Sequence, residues 1–90
     1  MVNEHRLTIG EQGSRRDYVY EVVDLVNHGI DRIKLIAVGD NICKLVDVVA
    51  ELEHMLPGNV TVKGWKIDSR RVKGERKTVL ELVIEYKPPI

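Results

Sequence analysis

The chain has 90 residues, with 14 Lys+Arg against 14 Asp+Glu and one cysteine. That length suits one domain and leaves no room for a second; it buries only roughly 60–65% of its unfolded surface, so self-association would help it. No apolar run nears the roughly 18 residues of a membrane span, a lone Cys43 allows no internal disulfide framework, and the opening Met1-Val2-Asn3-Glu4-His5-Arg6 lacks the apolar region of a leader, which together predict a soluble, cytoplasmic protein.

His5 to Ile9 alternates and stops at Gly10, the pattern of a short strand. After a turn at Glu11-Gln12-Gly13, Ser14 opens a helix with Asp17 three residues on, a capping box in which Asp replaces the usual Glu or Gln. Val19, Val22, Val23 and Val26 then form one apolar stripe, widened by Tyr18 and Leu25, and Gly29 supplies the left-handed residue that ends the helix. Ile30 to Val38 is almost continuously apolar and reads as a central strand buried on both faces. Asp40 or Asn41 caps a second helix, whose stripe is Ile42, Leu45, Val46, Val49, Leu52 and Leu56 before Pro57 ends it.

Val60-Thr61-Val62 starts a third strand, but the alternation slips: Val60 and Val62 have one parity, Trp65 and Ile67 the other, which predicts a bulge at Gly64. Lys73-Gly74-Glu75 makes a turn, and Thr78 to Tyr86 returns as a strand with Leu80, Leu82, Ile84 and Tyr86 on one face and Val79 and Val83 on the other. Lys87-Pro88-Pro89 ends the sheet. The order β-α-β-α-β-β, with right-handed crossovers, predicts an α/β two-layer sandwich: two helices on one face of a four-stranded mixed sheet that carries an extended C-terminal hairpin. The whole of 1–90 is one domain, with the arm at about 68–78.

Charge is balanced overall but not along the chain. Residues 1–59 hold 6 cations and 10 acids; residues 60–90 hold 8 and 4. Arg70, Arg71, Lys73, Arg76 and Lys77 crowd the hairpin tip with Glu75 as the only acid between 70 and 77, and Lys63 and Lys66 extend them. Such a ribbon suits phosphates and a narrow groove. The competing accounts are a solvated mixed-charge hairpin or protection of an edge strand, yet five cations in eight residues exceed what protection requires. Arg15 and Arg16 oppose the dipole of the helix they start. They either assist phosphate binding at that terminus or pair with Glu11 or Asp17.

Other chemistry finds little support. His5, His28 and His54 lack metal-ligand spacing and read as surface histidines; no cofactor is called for. Cys43, with no histidine beside it, is expected to be a small buried filler. Trp65 belongs to a core or a dimer interface, with base stacking as the alternative. Gly10-x-x-Gly13 lacks the ending of a phosphate loop. No set of residues combines nucleophile, base and oxyanion donor, so a binding protein is expected rather than an enzyme.

The stretch Tyr18-Val19 … Asn27-His28-Gly29-Ile30 … Ile42-Cys43-Lys44-Leu45-Val46-Asp47-Val48 resembles the Alba family of small archaeal chromatin proteins. Those proteins carry a Tyr-Val … Asn-Gln-Gly-Val helix, then a strand, a glycine turn and an Ala-Ile-Ser-Lys-Ala-Val-Asp helix start. The likeness runs from about Ile9 to Tyr86, and bacterial sporulation protein S shares the layout. It implies a homodimer, or a heterodimer with a paralogue, that grips DNA or RNA with two hairpin arms and a basic body, and that associates with the nucleoid. Lys44 matches the lysine of the helix start, whereas the Lys-Lys pair after the first strand becomes Glu11-Gln12-Gly13. The Arg-Gly-Arg before the second helix becomes Val38-Gly39-Asp40. Arg15 and Arg16 are the available substitutes. Three readings follow: a nucleic-acid binder of low sequence specificity, an RNA-binding or ribonucleoprotein subunit, and an interaction module that keeps the fold.

Overall fold

In the computed structural model, which describes residues 4–88, six elements follow one another. They are β1 (Glu4–Ile9), α1 (Arg15–Asn27), β2 (Arg32–Val38), α2 (Asn41–Met55), β3 (Val60–Val72) and β4 (Glu75–Tyr86). The expectations placed on Met1, Val2, Asn3 and Pro89 lie outside the described residues. The sheet order is β1-β2-β4-β3. β1 and β2 are parallel, joined through α1, while β4 lies antiparallel between β2 and β3. Both helices share one layer: Val19, Val22, Leu45, Val48, Val49 and Leu52 meet Leu7, Ile9, Ile33, Leu35, Ala37, Leu80 and Ile84 in one cluster.

Local signals explain the helix ends. Asp17 N–H donates to Ser14 Oγ at 3.2 Å and Ser14 N–H to Asp17 Oδ2 at 2.9 Å, a reciprocal capping box. α1 ends in a Schellman arrangement: Ile30 N–H reaches Leu25 O and Gly29 N–H reaches Val26 O, both at 3.1 Å. Gly29 takes φ +91°, where a side chain would clash with its own backbone. At α2, Asp40 holds the N-cap position but its side chain makes no capping bond.

Several expectations change. β2 is central, yet only Ile33, Leu35 and Ala37 are fully covered. Its other face, Arg32, Lys34, Ile36 and Val38, is half-buried, because both helices lie on one side of the sheet. In α2 Val48 is fully buried with Leu45 and Leu52, while Val46 is 51% exposed. The helix is rotated to put Leu45, Val48, Val49 and Leu52 on the sheet, a choice that a run of adjacent valines leaves open. Cys43 is exposed rather than a buried filler, since it lies beyond the edge of that same stripe. Trp65 is not core: it is 67% exposed, on a part of β3 that the helices do not reach. The slip at Gly64 is real, with the pairing register shifting between Val62 and Gly64.

Beyond the helices, β3 and β4 continue as a bare two-stranded ribbon, and the molecule measures 48 × 28 × 19 Å.

Candidate nucleic-acid interface

The arm is in regular antiparallel register to its tip: Ser69↔Thr78, Arg70↔Lys77, Arg71↔Arg76 and Val72↔Glu75. A two-residue turn, Lys73-Gly74, closes it. Lys73 has φ 51° and Gly74 φ 80°, the double left-handed geometry of a type I′ turn. Asn-Gly is the comfortable occupant of that turn; a lysine in its first position carries backbone strain. Every residue from Trp65 to Thr78 is exposed.

Register makes the charges oppose one another. Arg70 faces Lys77, and Arg71 faces Arg76, as directly paired residues. Side chains so placed have Cβ atoms roughly 5 Å apart, and like charges there are destabilising. The two pairs occupy opposite faces of the ribbon, because successive residues alternate. Arg71 and Arg76 share the helix side with Leu80, Leu82 and Ile84, and Arg70 and Lys77 the open side. Arg70 has one acid within reach, Glu81 at 3.5 Å. Among the described residues, no ion pair engages Arg71, Lys73, Arg76 or Lys77.

The root of the arm is tied down. Gly39 N–H donates to Thr78 O at 2.8 Å, and Lys77 Cδ lies 3.8 Å from where a Cβ on Gly39 would stand. The left-handed φ of +59°, not crowding, accounts for glycine at the end of β2.

The other predicted cations lie elsewhere, at the helix starts. Arg15 pairs with Asp47 at 3.4 Å, not with Glu11 or Asp17; both partners are more than half exposed, so the pair contributes little. Arg16 is exposed, and no ion pair engages it among the described residues. Lys44 turns inward: its Nζ donates to Gly10 O at 2.8 Å and Gly13 O at 2.9 Å, and lies 5.9 Å from the Tyr18 ring centroid. Tyr18 holds the same loop, accepting from Gly10 N–H at 2.9 Å and donating to Gly10 O at 3.2 Å. The structure therefore brings five of the eight predicted residues together on the arm and leaves Arg15, Arg16 and Lys44 as a separate group.

Two carboxylates titrate away from their ordinary values. Backbone and hydroxyl hydrogen bonds from Ser14 hold Asp17 low. The Arg32 guanidinium, bonded at 3.0 Å, lowers Glu85, helped by Lys63 and Lys87.

The sequence profile of the Alba family matches residues 5–69, well over half of the chain. The chain belongs to the Alba family. This is a family of nucleic-acid-binding proteins that form dimers. Solved Alba structures have the same fold. The chain resembles Alba from Thermoplasma volcanium at a TM-score of 0.83 and 21% identity, over 89% of this chain and 98% of that one. It resembles ALBA1 from Trypanosoma brucei at a TM-score of 0.79 and 23% identity, over 90% and 68%. The family match ends at residue 69, before the basic arm tip at 70–77.

Strand parity also puts Arg6 and Lys34 on one face of the sheet, since both alternate with residues that go to the core.

Proposed function

We propose that this Alba protein binds nucleic acid with low sequence specificity, holding phosphates with the arm cations Arg70, Arg71, Lys73, Arg76 and Lys77, and that it works as a dimer. The observation that carries this reading is the register of the arm. Two consecutive cation-on-cation pairs, capped by a lysine in a strained turn position, oppose folding and are explained by a polyanion partner. A ribbon with these groups on both faces can enter a groove and meet phosphates on either side. Nothing on it resembles a base-reading helix.

Dimerisation draws support from a bare apolar strip. Val62, Trp65 and Ile67 on β3 are 36%, 67% and 60% exposed, on the same side of the sheet as the helices, with Val46 of α2 also exposed. A second protomer would cover them. Replacement of Trp65 by Lys is expected to shift a sedimenting dimer towards monomer at micromolar concentration.

Affinity for duplex DNA and duplex RNA, titrated against salt, tests the arm. Neutralising its five cations is expected to flatten the log–log slope by about 4.5 on B-DNA, at roughly 0.9 per contact. A folded wild-type protein that binds neither duplex at low salt sinks the reading. The alternative, an Alba-fold interaction module or heterodimer partner, would then stand, supported by the same apolar strip.

A further inference from the structure

The half-buried face of the sheet, opposite the helices, carries its own charge pattern. Arg6 and Lys34 are directly paired across β1 and β2; Lys34 pairs in turn with Val83, and Val83 with Gly64. Lys66 follows two residues along β3. Gly64 has nothing within 4 Å of where its Cβ would lie, and a recess opens there between Lys34 and Lys66, floored by Val83 and lined also by Glu81.

Most acids on this face are already engaged; the exception is Glu4 at the start of β1, which stands across from Arg32 in the register. Glu85 is held by Arg32 at 3.0 Å, Lys63 at 3.7 Å and Lys87 at 4.0 Å, and Glu81 by Arg70 at 3.5 Å. Asp68 accepts the Ser69 N–H at 2.8 Å. Arg6, Lys34 and Lys66 have no carboxylate in ion-pair range among the described residues, although Glu81, paired with Arg70, stands directly across from Lys66 in the register. Arg6 and Lys34 repeat the feature seen in the arm, like charges placed opposite one another. The helix layer has the reverse sign, with Asp17, Glu21, Asp24, Asp47, Glu51 and Glu53 outnumbering its cations.

We propose that Arg6, Lys34 and Lys66 form a phosphate track on the open face of the sheet, continuous with Arg70 and Lys77, which point to the same side of the arm. This rests on the nucleic-acid reading above and names where the body, rather than the arm, touches its ligand. Lys34 and Gly64 are two strand spacings apart, roughly 10 Å, and Lys66 lies roughly 7 Å farther along β3, distances that long side chains span to successive phosphates. The ligand is the phosphodiester backbone of a duplex. Bases are not stacked here, because Trp65 and Tyr86 lie on the helix side and Tyr18 and Tyr20 on α1. A polyanion drawn along this face meets more cations than acids, whereas the helix layer, where acids are in excess, repels it.

The test compares wild type with the triple variant Arg6→Gln, Lys34→Gln, Lys66→Gln and with the single variant Lys66→Gln, an exposed site whose change does not threaten folding. Binding to duplex DNA and to duplex RNA is titrated against salt, beside thermal unfolding. On B-DNA the triple variant should lose about 2.7 from the slope, so the affinity ratio of wild type to variant falls about fortyfold between 50 and 200 mM salt. The single variant should lose about 0.9. Thermal stability should hold or rise in the triple variant, since a repulsive pair is removed. A loss confined to one duplex identifies which nucleic acid uses the track. If wild type binds through the arm while the folded triple variant keeps its slope to within one unit on both duplexes, the track is overturned and the arm reading survives. If wild type binds neither duplex, both fall.

Discussion

Replacing Lys44 by Met separates two roles that one lysine could play. Its Nζ donates to the carbonyls of Gly10 and Gly13, at 2.8 and 2.9 Å, and so braces the loop between β1 and α1. Methionine keeps the length of the stem but donates nothing. A hydrogen bond from a charged donor contributes about 1.5–3 kcal/mol. The loop is close to water, which replaces part of that, so the pair together is worth about 1–3 kcal/mol. For a domain of this size each kcal/mol moves the melting temperature by about 4–8 °C. Lys44→Met should therefore lower Tm by about 5–20 °C in far-UV circular dichroism, with wild type and variant compared at one protein concentration. Tyr18→Phe removes the other support of the same loop, leaving Gly10 N–H without its acceptor. The double variant should lose a different amount from the sum of the singles, because both side chains hold one segment. In the salt titration the slope should change by well under one unit. An unchanged Tm combined with a slope lower by about 0.9 would show that Lys44 holds a phosphate and does not brace the loop.

Core and surface positions in α2 should respond very differently. Leu52→Ala, at a site with no exposure, should cost about 2–5 kcal/mol in denaturant unfolding, whereas Val46→Thr at low protein concentration should stay within about 0.5 kcal/mol. Ser14→Ala removes the acceptor for Asp17 N–H and should cost about 1 kcal/mol by the same measurement. Lys73→Asn should relieve the turn and raise the protection of arm amides in hydrogen exchange, while lowering the salt slope on B-DNA by about 0.9. Asp17 and Glu85 both have folded pKa values below their unfolded ones. Their contribution is therefore complete above the ordinary carboxylate range and is lost as pH falls through the lowered folded values. Melting temperature should drop between about pH 5 and pH 2, and less steeply in Asp17→Asn, Glu85→Gln than in wild type.

Much of the fold was legible because local rules and global packing agree in this chain. The Ser14–Asp17 box, Gly29, Pro57 and the parity slip at Gly64 each announce a backbone event that the chain executes on its own, and alternation in the last strand placed Leu80 and Ile84 correctly. The amino-acid sequence by itself also determined that cations gather on one hairpin. Which cations face one another was another matter. The pairing of Arg70 with Lys77 and Arg71 with Arg76 depends on the turn being two residues long, a register that composition does not reveal. Packing geometry decided the rest. Valines at 46, 48 and 49 are interchangeable by hydropathy, and only docking on the sheet exposed Val46 and buried Val48. The placement of both helices on one side left Trp65 and Ile67 bare beyond their reach and brought Arg6, Lys34 and Lys66 to one open face. Lys44, the match to the lysine of the Alba helix start, donates to two loop carbonyls supplied from residues more than thirty positions away. Contacts of that range are absent from any local pattern. They exist only once the sheet order β1-β2-β4-β3 has brought distant segments side by side.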